Sequence, residues 1–378
     1  MDLFLYIPGL GTVCPFCLKR IPRRKGMTTC PHEGCSKELP ALYINPVKPL
    51  SQFPVQVFGW SQHGKTAYLT ALTMMLMKMR RVWPSFTWQA VTESSQCKVR
   101  EVNVYERQGE MPPPTPIGID DCYVMLLRKM RPWRDRALLV RDCPGEVFEG
   151  IRVPLEQAPF LHRARTIFMF ASLPDLLDPE ADNKSFEGRT MDMLMTGFLN
   201  TLNSNGIRLR GRRVVMVLTK ADRIPDLTPV LRNYLINDVI WAASNSREPE
   251  HILRDFLRGS PEVSADGFMN RYMAGMEEVD KEIRHWLYLD HNAQNFIDLA
   301  KDYGVDLRLC LTSATGGPVS PGIGLAQRWE PRRVLDPFFW ALEMERRGTP
   351  WARLRALWAL SFGFANKRIE GLKARLSA

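Results

Sequence analysis

Residues 59–66 read Gly59-Trp60-Ser61-Gln62-His63-Gly64-Lys65-Thr66, and no other stretch limits the fold of this chain so sharply. The pattern G-x-x-x-x-G-K-[ST] needs a strand before it and a helix after it. Only a strand feeding a glycine-rich turn into a helix N-terminus gathers backbone N–H groups around a polyphosphate. Both flanks are present: Phe53-Pro54-Val55-Gln56-Val57-Phe58 is an apolar run of β character, and Ala67 to Met79 is a helix-forming run. In such a loop Gly59, Ser61, Gln62, His63 and Gly64 surround the phosphates, Lys65 reaches the β- and γ-phosphates, and the Thr66 hydroxyl ligates Mg²⁺. The alternative is a chance match in a surface loop.

The rest of the composition is compatible with a large α/β domain. The chain has 378 residues, 45% of them hydrophobic and 24% charged, which is ordinary for a globular protein with a buried core. It contains no uninterrupted apolar stretch of about eighteen residues, so no transmembrane span is expected. Met1-Asp2-Leu3-Phe4-Leu5-Tyr6-Ile7-Pro8 lacks a basic leader and a long apolar core, so no secretory signal is expected and the cytoplasm is the natural location. A net charge of +10 suits anionic partners such as nucleotides, nucleic acid or an anionic membrane surface, without choosing among them.

Four of the eight cysteines crowd the N-terminus as Cys14-Pro15-Phe16-Cys17, twelve intervening residues, and Cys30-Pro31-His32-Glu33-Gly34-Cys35. Two short hairpins of this kind present four thiolates tetrahedrally to Zn²⁺, and in a reducing compartment they read as metal ligands rather than disulfides. The second pair is spaced C-x₄-C rather than C-x₂-C. His32 could replace one thiolate but is read as a bystander, and a redox role for Cys14 and Cys17 lacks the βαβ context it needs. A zinc-ribbon-like domain over residues 1–45 is expected, with metal binding supplying much of its folding energy. Four thiolates leave no open coordination position, which makes the metal structural. The basic residues between the pairs, Arg20 to Lys25, read as a solvated loop or a nucleic-acid contact. The proline-rich stretch from Leu39 to Gln52 reads as a linker.

Downstream, further motifs follow in order, each at the end of a strand-like run. Arg136 to Arg141 leads into Asp142-Cys143-Pro144-Gly145, where Asp142 would hold the Mg²⁺ shell and the Gly145 N–H would approach the γ-phosphate. The run Asp121 to Met130 would pair antiparallel with it through a turn near Pro132-Trp133-Arg134, as an edge strand. After the apolar strand Thr166 to Ala171 and a helix over about 188–203, Val214 to Leu218 ends at Thr219-Lys220-Ala221-Asp222. The final strand, Val305 to Leu311, ends at Thr312-Ser313-Ala314-Thr315-Gly316.

The P-loop, D-x-x-G, T-K-x-D and S-A-x series resembles the ordered motifs of small-GTPase-type, TRAFAC-class P-loop GTPases over residues 53–316. The resemblance implies a P-loop GTPase-like α/β fold: a mostly parallel sheet with one antiparallel edge strand and flanking helices, preceded by the small ribbon. It implies GTP or GDP as ligand. Asp222 would accept from guanine N1–H and N2–H₂, the Lys220 stem would lie along the base, and the Ser313-Ala314 backbone would meet O6. Thr219 stands where Asn is commoner and would lose one amide link between base loop and P-loop. Glu146 stands where many such GTPases carry the Gln that orients the attacking water. It can accept a proton but would repel the γ-phosphate, so hydrolysis would be slow or partner-stimulated unless Glu146 points away. Thr115, in Pro112-Pro113-Pro114-Thr115-Pro116, is the candidate switch threonine for Mg²⁺, against an incidental threonine in a proline-rich loop. No arginine finger can be assigned.

The main domain is expected over residues 53–345, with an insertion around 223–304 that holds a polar, breaker-rich stretch (Ser244 to Glu262) and a helix from Gly267 to Leu289. A closing helix over Pro331 to Leu342 would pack its Phe/Trp face on the sheet. Residues 349–378 form a basic amphipathic helix that docks on the domain, on a partner, or on a membrane surface. The whole layout also resembles bacterial GTPases of conflict-system operons, the double-GTPase type, which implies a second GTPase as partner and a role in defence. The first functional reading is a Mg²⁺-dependent GTP-hydrolysing switch. The alternative is a non-hydrolysing guanine-nucleotide-binding scaffold whose ribbon and tail contact a partner or nucleic acid.

Overall fold

The computed structural model describes residues 12–21, 27–46, 50–60, 62–108, 110–113, 122–130, 133–142, 160–177, 191–258, 265–317, 319–320, 324–325 and 329–344. The chain divides into two compact units, Met1–Met344 and Glu345–Ala378. The second unit, including the amphipathic helix expected over 349–378, lies outside the described residues.

Eleven strands are described, here numbered in chain order: β1 (Thr12–Val13), β2 (Arg20–Ile21), β3 (Ser51–Gly59), β4 (Thr87–Ala90), β5 (Cys122–Arg128), β6 (Arg136–Arg141), β7 (Thr166–Ser172), β8 (Arg213–Thr219), β9 (Asp306–Leu311), β10 (Val319–Ser320) and β11 (Gly324–Leu325). Seven form one sheet in the order β4-β5-β6-β3-β7-β8-β9, and β1-β2 and β10-β11 are separate two-stranded ribbons. Strands β6, β3, β7, β8 and β9 are mutually parallel, and β5 pairs antiparallel with both β6 and β4. The antiparallel strand is therefore present, but it does not sit at the edge. Thr87–Ala90 pairs outside it, with Thr87 against Arg128 and Ala90 against Met125. The run Phe86 to Val91 reads as a possible strand in the sequence, and the structure forms its centre, Thr87–Ala90, followed by the helix Glu93–Gln108 where a helix-like stretch from Ser94 to Arg107 is expected.

Strands β7 and β8 are nearly unbroken apolar runs because both of their faces are covered. On one face Val55 and Val57 of β3, Phe168 and Phe170 of β7, and Val215 and Val217 of β8 pack under helices 65–78 and 335–341. On the other face Phe58, Ile167, Met169, Val214 and Met216 pack under helices 191–204 and 294–302. The helix Lys65–Lys78 is buried nearly all round, from Ala67 to Leu76. This follows from a sequence that is apolar on every side.

The antiparallel flank is covered differently. Val124 and Leu126 of β5 and Ala137 and Leu139 of β6 face Val13, Leu18, Tyr43 and Leu50. The cysteine-bearing ribbon thus takes the place of a helix on that part of the sheet. The stretch that composition marks as a linker contains a short helix, Ala41–Ile44, with Tyr43 fully enclosed. The Tyr43 hydroxyl donates to the Val13 carbonyl (2.8 Å), and the Val13 N–H donates to Gln52 Oε1 (2.8 Å).

Between β8 and β9 the chain is helical: Pro229–Ile236, Val239–Asn245, Pro249–Phe256, Ala265–Leu289 and Gln294–Asp302. Pro249, in the stretch that reads as breaker-rich, and Pro229 each sit in the first turn of a helix, where a missing N–H costs nothing. Thr228 caps the first of these, accepting from the Leu231 N–H, and Asp238 caps the second, accepting from the Ile240 and Trp241 N–H groups.

The closing helix is Leu335–Ala341, with Phe338, Phe339 and Trp340 buried against the sheet. Its Asp336 is also buried, accepting from Tyr272 at Oδ1 and Tyr234 at Oδ2, each at 2.6 Å. Arg333 lies 3.5 Å from the Tyr234 ring centroid, and its backbone N–H donates to Asp238 Oδ2. No helix among the described residues is long and apolar enough to cross a membrane.

Candidate functional site

Parallel strands open their carboxyl ends on one edge of a sheet, where open α/β folds bind ligands. Gly59 pairs with Phe170, Ser172 with Thr219, and Leu218 with Leu311, so the turns after β3, β7, β8 and β9 share that edge. Arg141 pairs with Gln56, which brings Asp142 out of β6 at the same end. The motifs separated along the chain converge there.

The glycines of the loop are required by its geometry. A Cβ on Gly59 would lie 2.7 Å from both Phe170 Cβ and Phe170 O, so the strand could not approach β7 with any larger residue. Gly64 has φ +81°, and Gln62 also takes the left-handed region, at φ +62°. The helix then begins at Lys65 behind a glycine that offers no side-chain cap. An uncapped helix start preceded by such a turn is the geometry that accepts a phosphate. Lys65 is 7% exposed and arches back so that Nζ donates to the carbonyls of Gly59 (2.6 Å) and Trp60 (2.8 Å).

The loop after β8 is fastened to this P-loop. Thr219 Oγ1 donates to the His63 carbonyl at 2.9 Å. The threonine therefore keeps a link that the sequence comparison with Asn suggested would be lost: a hydroxyl donor replaces an amide donor. Lys220 follows at φ +54°, and Asp222 sits half-buried in the short turn Ala221–Arg223. The Ala221 N–H donates to the Thr312 carbonyl, which ties this turn to the end of β9. There Ser313 is fully buried. Its N–H donates to the Arg332 carbonyl, its carbonyl accepts from the Arg332 N–H, and its hydroxyl accepts from the Gly316 N–H. Ser313 is thus committed to the scaffold, and Ala314 is the member of the pair that follows it at the edge.

His63 is fully buried, and its Nδ1 accepts from the Ser172 N–H at 3.1 Å, so the ring proton belongs on Nε2. Burial, outweighing the attraction of Asp175, pushes its pKa down to about 3, and the ring is neutral at physiological pH. Nε2 stands 3.8 Å from Asp175 Oδ2, and the same oxygen lies 3.2 Å from Lys220 Nζ. Sequence reasoning missed Asp175. It lies in Leu173–Leu177, just after β7, in no recognised motif, and only the sheet brings it beside residues 45 and more positions away.

Asp142 is buried, 8% exposed, at the end of β6. Ser61, Thr115, Gly145 and Glu146 lie outside the described residues.

The four N-terminal cysteines do come together, with every Sγ within 4.8 Å of the others. Cys14 and Cys35 are 3.7 Å apart, and Cys17 and Cys30 are 3.8 Å apart. Thiolates about 2.3 Å from a tetrahedral zinc stand about 3.8 Å from one another, so the spacing fits that ion. It is too long for disulfides, and all four are free thiols. His32 Nε2 is engaged with the Arg20 carbonyl, outside the cluster. The ribbon is joined to β6 and to the helix Phe160–Arg163: Arg141 Nη1 donates to the Phe16 carbonyl (3.2 Å), and Arg163 Nη1 donates to the Cys17 carbonyl (3.4 Å).

Sheet order, the P-loop and the loop after β8 fastened to it together define a P-loop domain of the GTPase type. The family model for Double-GTPase 2 matches residues 54–257, just over half of the chain, and the chain belongs to that family. No curated protein matches it. Among solved structures it is similar to the S. cerevisiae Ski7 GTPase-like domain bound to GDP and inorganic phosphate, at 14% identity and a TM-score of 0.32, covering 80% of this chain and 51% of that one. It is also similar to Sup35 complexed with GDP, at 10% identity and a TM-score of 0.26, covering 71% and 38%. The chain thus spans about half the length of the Ski7 structure and less of Sup35.

Proposed function

We propose that residues 53–345 form a guanine-nucleotide switch that binds GTP and hydrolyses it slowly. The observation that carries this reading is the convergence of the P-loop, Asp142, Lys220, Asp222 and Ala314 on one sheet edge, with Thr219 bonding the base loop to His63 of the P-loop. In this reading the loop Gly59–Thr66 cradles the phosphates and Lys65 neutralises the β- and γ-oxygens. Asp222 accepts from guanine N1–H and N2–H₂, and the Lys220 stem covers one face of the base. O6 meets the N–H of Ala314, since that of Ser313 is taken by Arg332. Thr66, Asp142 and the switch residue Thr115 would hold Mg²⁺, which supplies charge neutralisation during phosphoryl transfer. Glu146, following Gly145, orients water poorly and keeps the intrinsic rate low.

The ribbon over residues 1–45 binds structural Zn²⁺ through Cys14, Cys17, Cys30 and Cys35; the sulfur spacing supports this. Membership of the Double-GTPase 2 family supports a second GTPase as partner and a place in a bacterial conflict system. A cytoplasmic location accords with the reduced cysteines. The second reading, a non-hydrolysing scaffold that binds a partner or nucleic acid through its ribbon and basic tail, is favoured by the acidic residue at position 146.

Single-turnover hydrolysis of GTP separates the two. The switch reading expects slow, Mg²⁺-dependent turnover that Lys65→Ala abolishes and Glu146→Gln changes. Tight GTP binding with no turnover, alone or with added partner, would favour the scaffold.

A further inference from the structure

We propose that Asp175 is a positioning residue for base recognition, fixing the Lys220 side chain beside the P-loop. The inference rests on the reading of Lys220 and Asp222 as the base site. Lysine has four rotatable bonds and a point charge, so its stem covers a base only if something fixes its head. Asp175 Oδ2 does so at 3.2 Å from Nζ, and the pair is largely withdrawn from solvent, with side chains 10% and 28% exposed. A pair this enclosed is weakly screened, unlike a surface ion pair.

Asp175 is itself well held. It lies in Leu173–Leu177, whose Leu173 and Leu176 are buried in the core. The same carboxylate oxygen faces Nε2 of His63 at 3.8 Å, the proton-bearing nitrogen by the Ser172 bond to Nδ1. One carboxylate therefore stands between the lysine of the base loop and a histidine of the P-loop. Thr219 makes the hydrogen bond between these two loops, from hydroxyl to His63 carbonyl. With Lys220 fixed by Asp175 and its loop bonded to the P-loop through Thr219, seating the phosphates also sets the plane in which the base is held. Preorganisation of this kind is read as affinity, because less side-chain freedom remains to be lost on binding.

The test is a double-mutant cycle on GDP affinity, measured by calorimetry on the full chain with Mg²⁺ present. Asp175→Ala and Lys220→Ala are each expected to weaken GDP about tenfold, and the double variant no more than the worse single one. Asp175→Asn, which keeps an acceptor for Nζ but no charge, is expected to lose only about threefold. It also serves if the alanine variant fails to fold. Wild-type GDP affinity in Asp175→Asn and Asp175→Ala, or losses that simply multiply in the double variant, overturn the proposal.

Asp222→Asn separates this from failure of the base site itself. An asparagine amide would donate to the C2 carbonyl of xanthine in place of accepting from guanine, so the variant should gain affinity for xanthosine diphosphate. Without that gain both the base-site reading and the role of Asp175 fall. With that gain and an unaffected Asp175→Ala, only the role of Asp175 falls.

Discussion

The buried carboxylate of the closing helix should make the stability of this domain depend on pH in a stated direction. Asp336 is 2% exposed and its pKa is raised from 3.8 to about 6. Burial drives the rise and outweighs Arg333 and the two tyrosine hydroxyls, which favour the ionised form. Between those two values the folded chain keeps a proton that the unfolded chain has released. The folded state then binds more protons, so unfolding free energy falls as pH rises through the window. The full effect is absent below about pH 4 and complete above about pH 6, and a rise from 3.8 to about 6 corresponds to about 3 kcal/mol. Other acidic groups also titrate in this range, so the quantity to measure is a difference. Denaturant unfolding of the wild type and of Asp336→Asn, which does not titrate, should be followed from pH 4 to pH 7. The wild type should lose about 3 kcal/mol relative to the variant across that range. A difference that stays constant, or that grows in favour of the wild type as pH rises, would mean that Arg333, Tyr234 and Tyr272 outweigh burial, and the reasoning would be refuted.

Three further outcomes follow from the geometry. Thr219→Val should leave the buried His63 carbonyl without its hydroxyl donor and cost about 1–3 kcal/mol in thermal or chemical unfolding, with weaker GDP binding; unchanged values would show that the loop link is dispensable. Gly59→Ala should force β3 away from Phe170 at a cost of about 1–3 kcal/mol and weaken nucleotide binding, which unfolding curves and calorimetry would register together. Stripping zinc with a strong chelator, or Cys30→Ser with Cys35→Ser, should uncover Val124, Leu126, Ala137 and Leu139, lower the melting temperature by about 5 °C or more, and raise binding of a hydrophobic dye. An unchanged melting temperature would show that the ribbon is not part of the core.

The central strands β7 and β8 were legible because they are apolar on both faces: Val214 to Leu218 has nowhere to lie except between two layers of helix. The P-loop was legible because that chemistry is contiguous, eight residues in a row. The helices between β8 and β9 were harder to see. Pro249 falls in a stretch that reads as breaker-rich until its first-turn position is known, and helices of eight residues give barely two turns of periodicity, whereas the 25-residue Ala265–Leu289 was expected from Gly267 to Leu289. The packing of the ribbon was hidden for a similar reason. Tyr43 sits in a proline-rich stretch that composition marks as a linker, while its partners Val124 and Leu139 lie far downstream. Asp175 had no local signal at all. Its meaning comes from His63 and Lys220, which only the strand order brings to it.

A guanine-specific phosphate-binding site is checked by comparing the affinities of GDP and ADP by calorimetry in the presence of Mg²⁺. A base site built on Asp222 hydrogen bonds predicts that GDP binds at least about a hundredfold more tightly than ADP and that Lys65→Ala abolishes both signals. Equal affinities would contradict the base site, and failure to bind either nucleotide would contradict the reading of Gly59 to Thr66 on which the account stands.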